Sequence, residues 1–185
     1  MLNVTFNSLR RENACSTRYK VLAKALGGVR KYGRNTPIPL EKILDTNGFY
    51  DALWALRATV EDSSQFSRLL TCDFAEHVLP KYEKHYPADK RPRQSIETAR
   101  LFANGLATQA ELSAAGSAAG SAAWAAAESA AAWSAAWSAG SAAWAAELAA
   151  ESAAESGAWA AGSAAGSAEI TWQTQRFQEL LLKEV

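Results

Sequence analysis

The sequence predicts an all-α protein: a bundle of about five short helices, followed by a long helical hairpin that is rich in Ala, Ser, Gly and Trp. Three observations lead to this prediction. Apolar residues recur at helical spacing through the first part of the 185-residue chain. The second part is an alanine-dominated tract without proline, and alanine has the highest helix propensity. No segment alternates apolar and polar residues over a useful length, as a half-buried β-strand does.

Each of the five predicted helices has an apolar face and a residue that can begin or end it. Gly27 follows the first helix, Pro39 can open the second, and Gly48 separates the second from the third. Asp62 can cap the fourth helix, and the polar, proline-containing segment 80–92 separates the fourth from the fifth. The predicted helices span residues 14–26, 39–44, 49–60, 62–79 and 93–104.

The alanine tract begins with a capping box, in which the side chains of Thr108 and Glu111 can each accept a backbone N–H of the other residue. Residues 113–168 include 29 alanines, and large residues recur there in pairs that advance by eleven residues. One straight helix across the tract would be about 110 Å long and would expose its tryptophans. We therefore expect a hairpin with bends near Gly140 and Gly157, in which Trp side chains fill the remaining grooves.

Charge divides the chain at nearly the same place as composition does. Residues 1–112 hold 17 Lys or Arg and 12 Asp or Glu, whereas residues 113–185 hold two and seven. No Lys or Arg occurs in residues 101–175. The predicted domains are a helical region at 1–107 and the alanine-rich tract at 108–185, which packs on that region or on a neighbouring subunit.

Composition argues against several classes of protein. The formal net charge is zero, which argues against a dedicated nucleic-acid binder. Two cysteines are too few for a disulfide scaffold, and the alanine tract carries too many polar residues for a membrane span. The first residues lack the apolar core of a signal peptide, so we expect a soluble, cytoplasmic protein that does not associate with membranes.

The sequence contains no recognisable catalytic or metal-binding constellation. The loop from Gly28 to Gly33 has the spacing of a phosphate-binding loop, but it lacks the Lys and the Ser or Thr that should follow. Cys72, His77 and His85 match no standard zinc-ligand spacing. We therefore expect a protein that is not an enzyme and that requires no cofactor or metal.

Four stretches carry a resemblance to a known family. They are residues 14–15, residues 32–58, residues 93–112 and the closing residues 172–181, the last preceded by the tryptophan-containing alanine tract. The most specific part is the block NGFYDALWALRA, which lies within the second stretch. In these stretches the chain resembles the Imm5-like putative immunity proteins of bacteria and phage genomes. The resemblance implies an all-helical, non-enzymatic protein that binds a cognate toxin and blocks it.

Two sets of residues are candidates for contact with a partner. The first set is the recurrent tryptophans of the tract, because Trp is enriched in binding hot spots. These tryptophans are Trp133, Trp137, Trp144 and Trp159. The second set belongs to the block of the family resemblance and consists of Asp51, Trp54 and Arg57. For this second set we favour a structural role, in which Trp54 lies in the core and Asp51 and Arg57 are structural partners.

The predicted function is that of an immunity or inhibitor protein, which neutralises a toxin or another effector by occupying it. Two alternatives stay open. One is a structural protein that self-assembles into a homo-oligomer through the small-residue faces of its helices. The other is a phage counter-defence protein that sequesters a host factor. A mass in solution that does not change with concentration and equals that of one chain would exclude the self-assembling alternative.

Overall fold

The structure is a computed structural model, and it describes residues 1–126, 135–140, 142 and 167–183. The all-α class that the sequence predicts is confirmed, because helices dominate these residues. The strands in this part of the chain form one antiparallel pair of two residues each. Within the same residues, no helix is both long enough and hydrophobic enough to cross a lipid bilayer.

The chain divides into two compact units. The first unit comprises Met1–Ser63 together with Phe177–Val185, and the second unit comprises Ser64–Arg176. The C-terminal helix therefore contributes its early residues to the second unit and its last residues to the first unit. The division into domains after residue 107 stays a prediction.

The first unit consists of short helices around one small sheet. Its elements are β1 (Asn3–Val4), α1 (Phe6–Arg11), α2 (Ser16–Ala25), α3 (Val29–Tyr32), β2 (Ile38–Pro39), α4 (Leu40–Asn47), α5 (Phe49–Ala55) and a 3-10 turn (Leu56–Ala58). Three of the predicted helices correspond to α2, to α4, and to α5 with its 3-10 turn. Helices α1 and α3 were not predicted from the sequence, because six and four residues are too few to show a periodic apolar pattern.

Local hydrogen bonds explain where these helices begin and end. Thr5 and Ser8 form a capping box at the start of α1, in which each hydroxyl accepts the backbone N–H of the other residue at 2.9 Å. Gly48 ends α4 and precedes α5 with a φ of 92°, a conformation that favours glycine. The register of β1 and β2 places Val4 opposite Ile38.

Large side chains fill the interior of the first unit. Phe6 is fully buried, with its ring centroid 5.3 Å from that of Tyr19 and 6.0 Å from that of Tyr32. Phe49 packs edge to face on Phe177, whose centroid is 6.1 Å away. Edge-to-face pairs at these distances stabilise a core beyond the area that they bury.

The second unit is built from longer helices. They are α6 (Ser64–His85), α7 (Arg91–Ala103), α8 (Gln109–Ala125), the helical residues 135–140, and the early part of α9 (Ser167–Lys183). The helix predicted at 62–79 is longer than expected, since α6 continues through Pro80 to His85. The residues after Pro80 are tied down by tertiary contacts, because Tyr82 is buried and its hydroxyl donates to Asp89 at 2.6 Å. Such contacts offset the helix hydrogen bond that proline removes.

Small residues form the interior where α7, α8 and residues 135–140 pack together. Ala99, Ala119 and Ala139 are fully buried, and the Ser95 hydroxyl donates to the carbonyl of Ala139 at 3.1 Å. A Cβ on Gly140 would lie 3.5 Å from the backbone nitrogen of Gly120. The backbones of these two helical segments therefore approach closely. Residues 127–134, 141 and 143–166 of the predicted hairpin, which include the bend expected near residue 157, lie outside the described residues.

Candidate functional site

A groove of about 260 Å³ lies in the second unit, between α8 and the helical residues 135–140. Glycines and serines make up most of its described lining, and two tryptophans complete it. The lining residues are Gly116, Ser117, Gly120, Ser121, Trp124, Trp137 and Gly140.

Helical periodicity explains which residues of α8 line one side of this groove. Thr108 and Glu111 form the predicted capping box, with the Thr108 backbone N–H donating to the Glu111 carboxylate at 2.7 Å, and so set the start of α8. From that start, Gly116, Gly120 and Trp124 follow at intervals of four residues and therefore share one face of the helix. All three of these residues line the groove.

The two tryptophans of the groove differ in exposure. Trp124 is 70% exposed, whereas Trp137 is half-buried. A Cβ on Gly120 would meet no atom within 4 Å, so the groove is open above this residue. Indole rings offer a large apolar face and one N–H donor, which suits the contact of a side chain from another molecule. The described lining holds no ionisable group that could act as an acid, a base or a nucleophile.

One residue of the first predicted set lines the groove. Trp137 lines the groove, whereas Trp133, Trp144 and Trp159 lie outside the described residues. Sequence reasoning missed Trp124, because this residue lies outside the eleven-residue register that selected the others. The four-residue spacing of Gly116, Gly120 and Trp124 is the signal that could have found it.

The second set of predicted residues lies in the first unit and makes contacts within it. The Asp51 carboxylate accepts hydrogen bonds from Arg18 Nε at 2.7 Å and from Asn47 Nδ2 at 2.8 Å. Arg18 also donates to the backbone carbonyl of Asn47. The Arg57 guanidinium lies 5.3 Å from the centre of the Trp54 ring, which is within range of a cation–π contact. These contacts tie α2 to α4 and α5, while a role of the three residues in binding a partner stays a prediction.

A cluster of charged and aromatic side chains joins α9 to α6 within the second unit. Asp73 accepts hydrogen bonds from Arg100 at 2.6 Å and from Arg176 at 2.7 Å. His77 stacks on Trp172 with a centroid distance of 3.7 Å, and its Nε2 lies 3.3 Å from the Glu169 carboxylate. Burial raises the pKa of the Glu169 carboxyl, although His77 opposes the shift. These contacts hold the early part of α9 against α6.

Neither cysteine of the chain has a disulfide partner, and their environments differ. Cys15 is exposed beside the start of α2, and the nearby backbone N–H groups of Arg18 and Thr17 lower the pKa of its thiol. Cys72 is buried in α6, and burial raises the pKa of its thiol to about 12. Among the residues that the structure describes, no three Cys, His, Asp or Glu side chains come together as metal ligands.

The helices and the groove together define a mainly α-helical protein with a groove whose described lining includes two tryptophans. The chain belongs to the family of the Imm-5 like putative immunity protein, whose family model matches residues 60–180. The matched residues include α6, α7, α8 and both tryptophans of the groove, and they begin after the block at 47–58. No curated protein and no solved structure matches the chain.

Proposed function

We propose that this protein is a non-enzymatic immunity protein, which neutralises a toxin or another effector by occupying it. Membership of the immunity family supports a role in binding a protein partner. The observation that carries the proposal in this chain is the groove beside Trp124, whose side chain is 70% exposed. We expect this residue and Trp137 to form the centre of the contact with the effector. The protein is expected to act in the cytoplasm and without a cofactor.

Physical reasons favour the groove over a general surface. Single exposed apolar residues are common on proteins and need no explanation. Here two tryptophans and three glycines line one groove, so that a side chain of a partner can be desolvated in it. Buried Trp contacts of this kind carry a large share of the binding energy in protein interfaces. The position of the groove within the residues matched by the family model agrees with this role.

The experiment that tests the proposal takes as candidate effectors the products of the genes that flank the gene of this chain in its source genome. Co-expression with the intact chain is expected to restore growth, and the purified pair is expected to form a complex of defined stoichiometry. The double substitution Trp124→Ala and Trp137→Ala should weaken the complex by at least about a hundredfold, as expected for two hot-spot residues. Normal growth of cells that express the effector without the chain would contradict the proposal.

A matched control separates binding from folding. Leu106 is also in the second unit and is 73% exposed, but it lies outside the groove. Leu106→Ala should leave the complex unchanged, since exposed residues outside an interface contribute little. Far-ultraviolet circular dichroism of all variants should show unchanged helicity. The remaining candidates Trp133, Trp144 and Trp159 can be tested in the same assay.

Self-assembly is the second candidate function, and the charge distribution favours it. Residues 1–112 carry a net charge of about +5 and residues 113–185 about −5, so two copies could attract each other. Light scattering over a concentration series tests this candidate. A mass of one chain at every concentration excludes it, whereas a larger species that dissociates on dilution supports it.

Sequestration of a host factor by a phage-borne protein would use the same groove with a different partner.

A further inference from the structure

We propose that His77, Trp172 and Glu169 form a pH-sensitive contact, which holds the early part of α9 against α6 more tightly at about pH 6 than at about pH 8. His77 lies on α6, whereas Trp172 and Glu169 lie on α9, and all three belong to the second unit. None of the three belongs to the described lining of the groove. The contact is therefore independent of the proposed function, and the free protein is sufficient to test it.

The imidazole of His77 contacts both an aromatic ring and a carboxylate. It is stacked on the Trp172 indole, with ring centroids 3.7 Å apart and an angle of 6° between the planes. Its Nε2 lies 3.3 Å from the Glu169 carboxylate. Because an imidazolium is attracted to the face of an indole and to a carboxylate, both contacts strengthen when His77 is protonated. The side chain is 40% exposed, so solvent can supply the proton.

The carboxylate of this contact is buried, since the Glu169 side chain is only 1% exposed. A carboxylate that has lost its hydration destabilises the fold unless it is paired and hydrogen-bonded. Gln173 Nε2 donates one hydrogen bond to it at 3.2 Å. Burial raises the pKa of the Glu169 carboxyl, and the charges of His77 and Lys81 oppose this rise. A neutral imidazole is a weaker partner for the buried carboxylate than an imidazolium.

Other charged groups surround the pair of His77 and Glu169 on three helices. Within the described residues, these groups are Asp73, Glu76 and Lys81 of α6, Arg100 of α7 and Arg176 of α9. Both arginines donate hydrogen bonds to Asp73, and Arg100 also donates to Glu76. Arginine and lysine stay charged between about pH 6 and about pH 8, whereas histidine ordinarily changes its charge there. We therefore assign the pH sensitivity of this cluster to the pair.

Proton linkage gives the direction of the effect. With one proton, the pair is either an imidazolium beside a carboxylate or a neutral imidazole beside a carboxylic acid. Neither form leaves a buried charge without compensation. Loss of that proton leaves the Glu169 carboxylate buried beside a neutral imidazole. The stabilisation of α9 is therefore present at about pH 6 and is lost as the pH rises to about 8.

His85 provides an internal control, because it lies on the same helix as His77 but is exposed and outside the contact. The first measurement is an NMR titration of the intact protein between about pH 5 and about pH 9. The ring signals of His77 and the indole N–H signal of Trp172 should shift with one common midpoint. The signals are assigned with His85→Gln and Trp172→Phe. A Trp172 signal that does not shift with His77 would overturn the inference.

The second measurement is hydrogen exchange of the backbone amides early in α9. Their protection factors, which are corrected for the intrinsic effect of pH on exchange, should be at least about fivefold higher at pH 6 than at pH 8. His77→Gln should abolish this difference, whereas His85→Gln, the matched control, should preserve it. Equal pH differences in the two variants would contradict the assigned site.

A second variant keeps the test separate from folding. Glu169→Gln preserves the size of the side chain but removes the buried charge, so it should abolish the pH difference while the helicity stays unchanged. Adding His77→Gln to it should change the pH difference no further, because the two residues act as one pair. A pH difference that remains in Glu169→Gln would overturn the inference, and it would leave the proposed binding of an effector unaffected.

Discussion

The first unit and one part of the second unit are packed with different kinds of side chain. The first unit fills its interior with aromatic and branched residues, such as Phe6 and Leu53. Where α7, α8 and residues 135–140 meet, the second unit instead buries alanines and brings backbones together at Gly140. Large side chains fill the space between elements, whereas small side chains remove that space. Among the described residues, the second arrangement leaves the groove along α8 open at Gly120.

The comparison predicts that shortening a side chain destabilises the interior of the first unit, whereas enlarging one destabilises the small-residue interior of the second unit. Phe6→Ala should lower the free energy of unfolding by about 3–5 kcal/mol, because it leaves a cavity among Tyr19 and Tyr32. Urea denaturation measures this loss. Val60→Ala, at a residue that is 64% exposed in the same unit, is the control and should change the free energy by less than about 0.5 kcal/mol. Equal losses for the two substitutions would show that the interior of the first unit is not well packed.

The two cysteines report on the two units through their reactivity. In the native protein Cys15 should react with a neutral disulfide reagent more than about a hundredfold faster than Cys72, because only the Cys15 thiol is exposed and has a lowered pKa. Mass spectrometry of partially labelled protein gives both rates. Adding urea should expose Cys72 and remove the difference. Rapid labelling of both thiols without denaturant would mean that the interior around α6 opens readily.

Enlarging a side chain tests the small-residue interior of the second unit. Ala119 is fully buried in α8. A Cβ built on Gly140 would lie 3.7 Å from the Cβ of Ala119, so little space surrounds this side chain. Ala119→Leu should therefore lower the free energy of unfolding by about 1–3 kcal/mol through overpacking. Thermal unfolding measures the change. The matched control is Ala118→Leu at the preceding, more exposed position of the same helix, which should lower the free energy of unfolding by less.

Two glutamates should respond to pH in opposite directions. Partial loss of solvent alone would raise the pKa of the exposed Glu61, but hydrogen bonds from Asn3 at 2.7 and 2.9 Å lower it overall. Its contribution to stability is therefore present above the ordinary Glu pKa and is lost as pH falls through the lowered value. Burial raises the pKa of Glu169, so its contribution is present below the ordinary pKa and is lost as pH rises through the raised value.

Substitution by glutamine tests this pair. At neutral pH, Glu61→Gln should cost less than about 1 kcal/mol, since the residue is exposed and solvent screens its interactions. Glu169→Gln should cost nothing or should stabilise the protein, because the buried charge is removed. Urea denaturation at neutral and acidic pH gives both values. A loss at neutral pH that is larger for Glu169→Gln would show that its pair with His77 outweighs burial.

Local signals in the sequence identified much of the fold. The capping box of Thr108 and Glu111 starts α8 where predicted, because both partners lie within one turn. Helices α2, α4, α5, α6 and α7 follow from apolar periodicity, with ends that differ by a few residues. The extension of α6 past Pro80 could not be predicted, since it depends on Tyr82 being buried and bonded to Asp89.

The candidate site was predicted only in part. The sequence indicated that tryptophans of the alanine tract are candidates, and Trp137 lines the groove. The eleven-residue repeat did not select Trp124. A repeat within one segment carries no information about which residues of another segment pack against it. The approach of residues 135–140 to α8 decides that Trp124 shares a groove with Trp137.

The sequence by itself determined the helical class, most helix starts and the small-residue character of the tract. These properties arise from propensity, capping and periodicity, which act between residues within a few positions of each other. Only the tertiary structure decided that β1 pairs with β2, that Asp73 joins Arg100 and Arg176, and that Gly140 meets Gly120. These contacts link residues far apart in the chain. Their formation depends on which surfaces of already formed helices bury the most area together, and no local pattern records that.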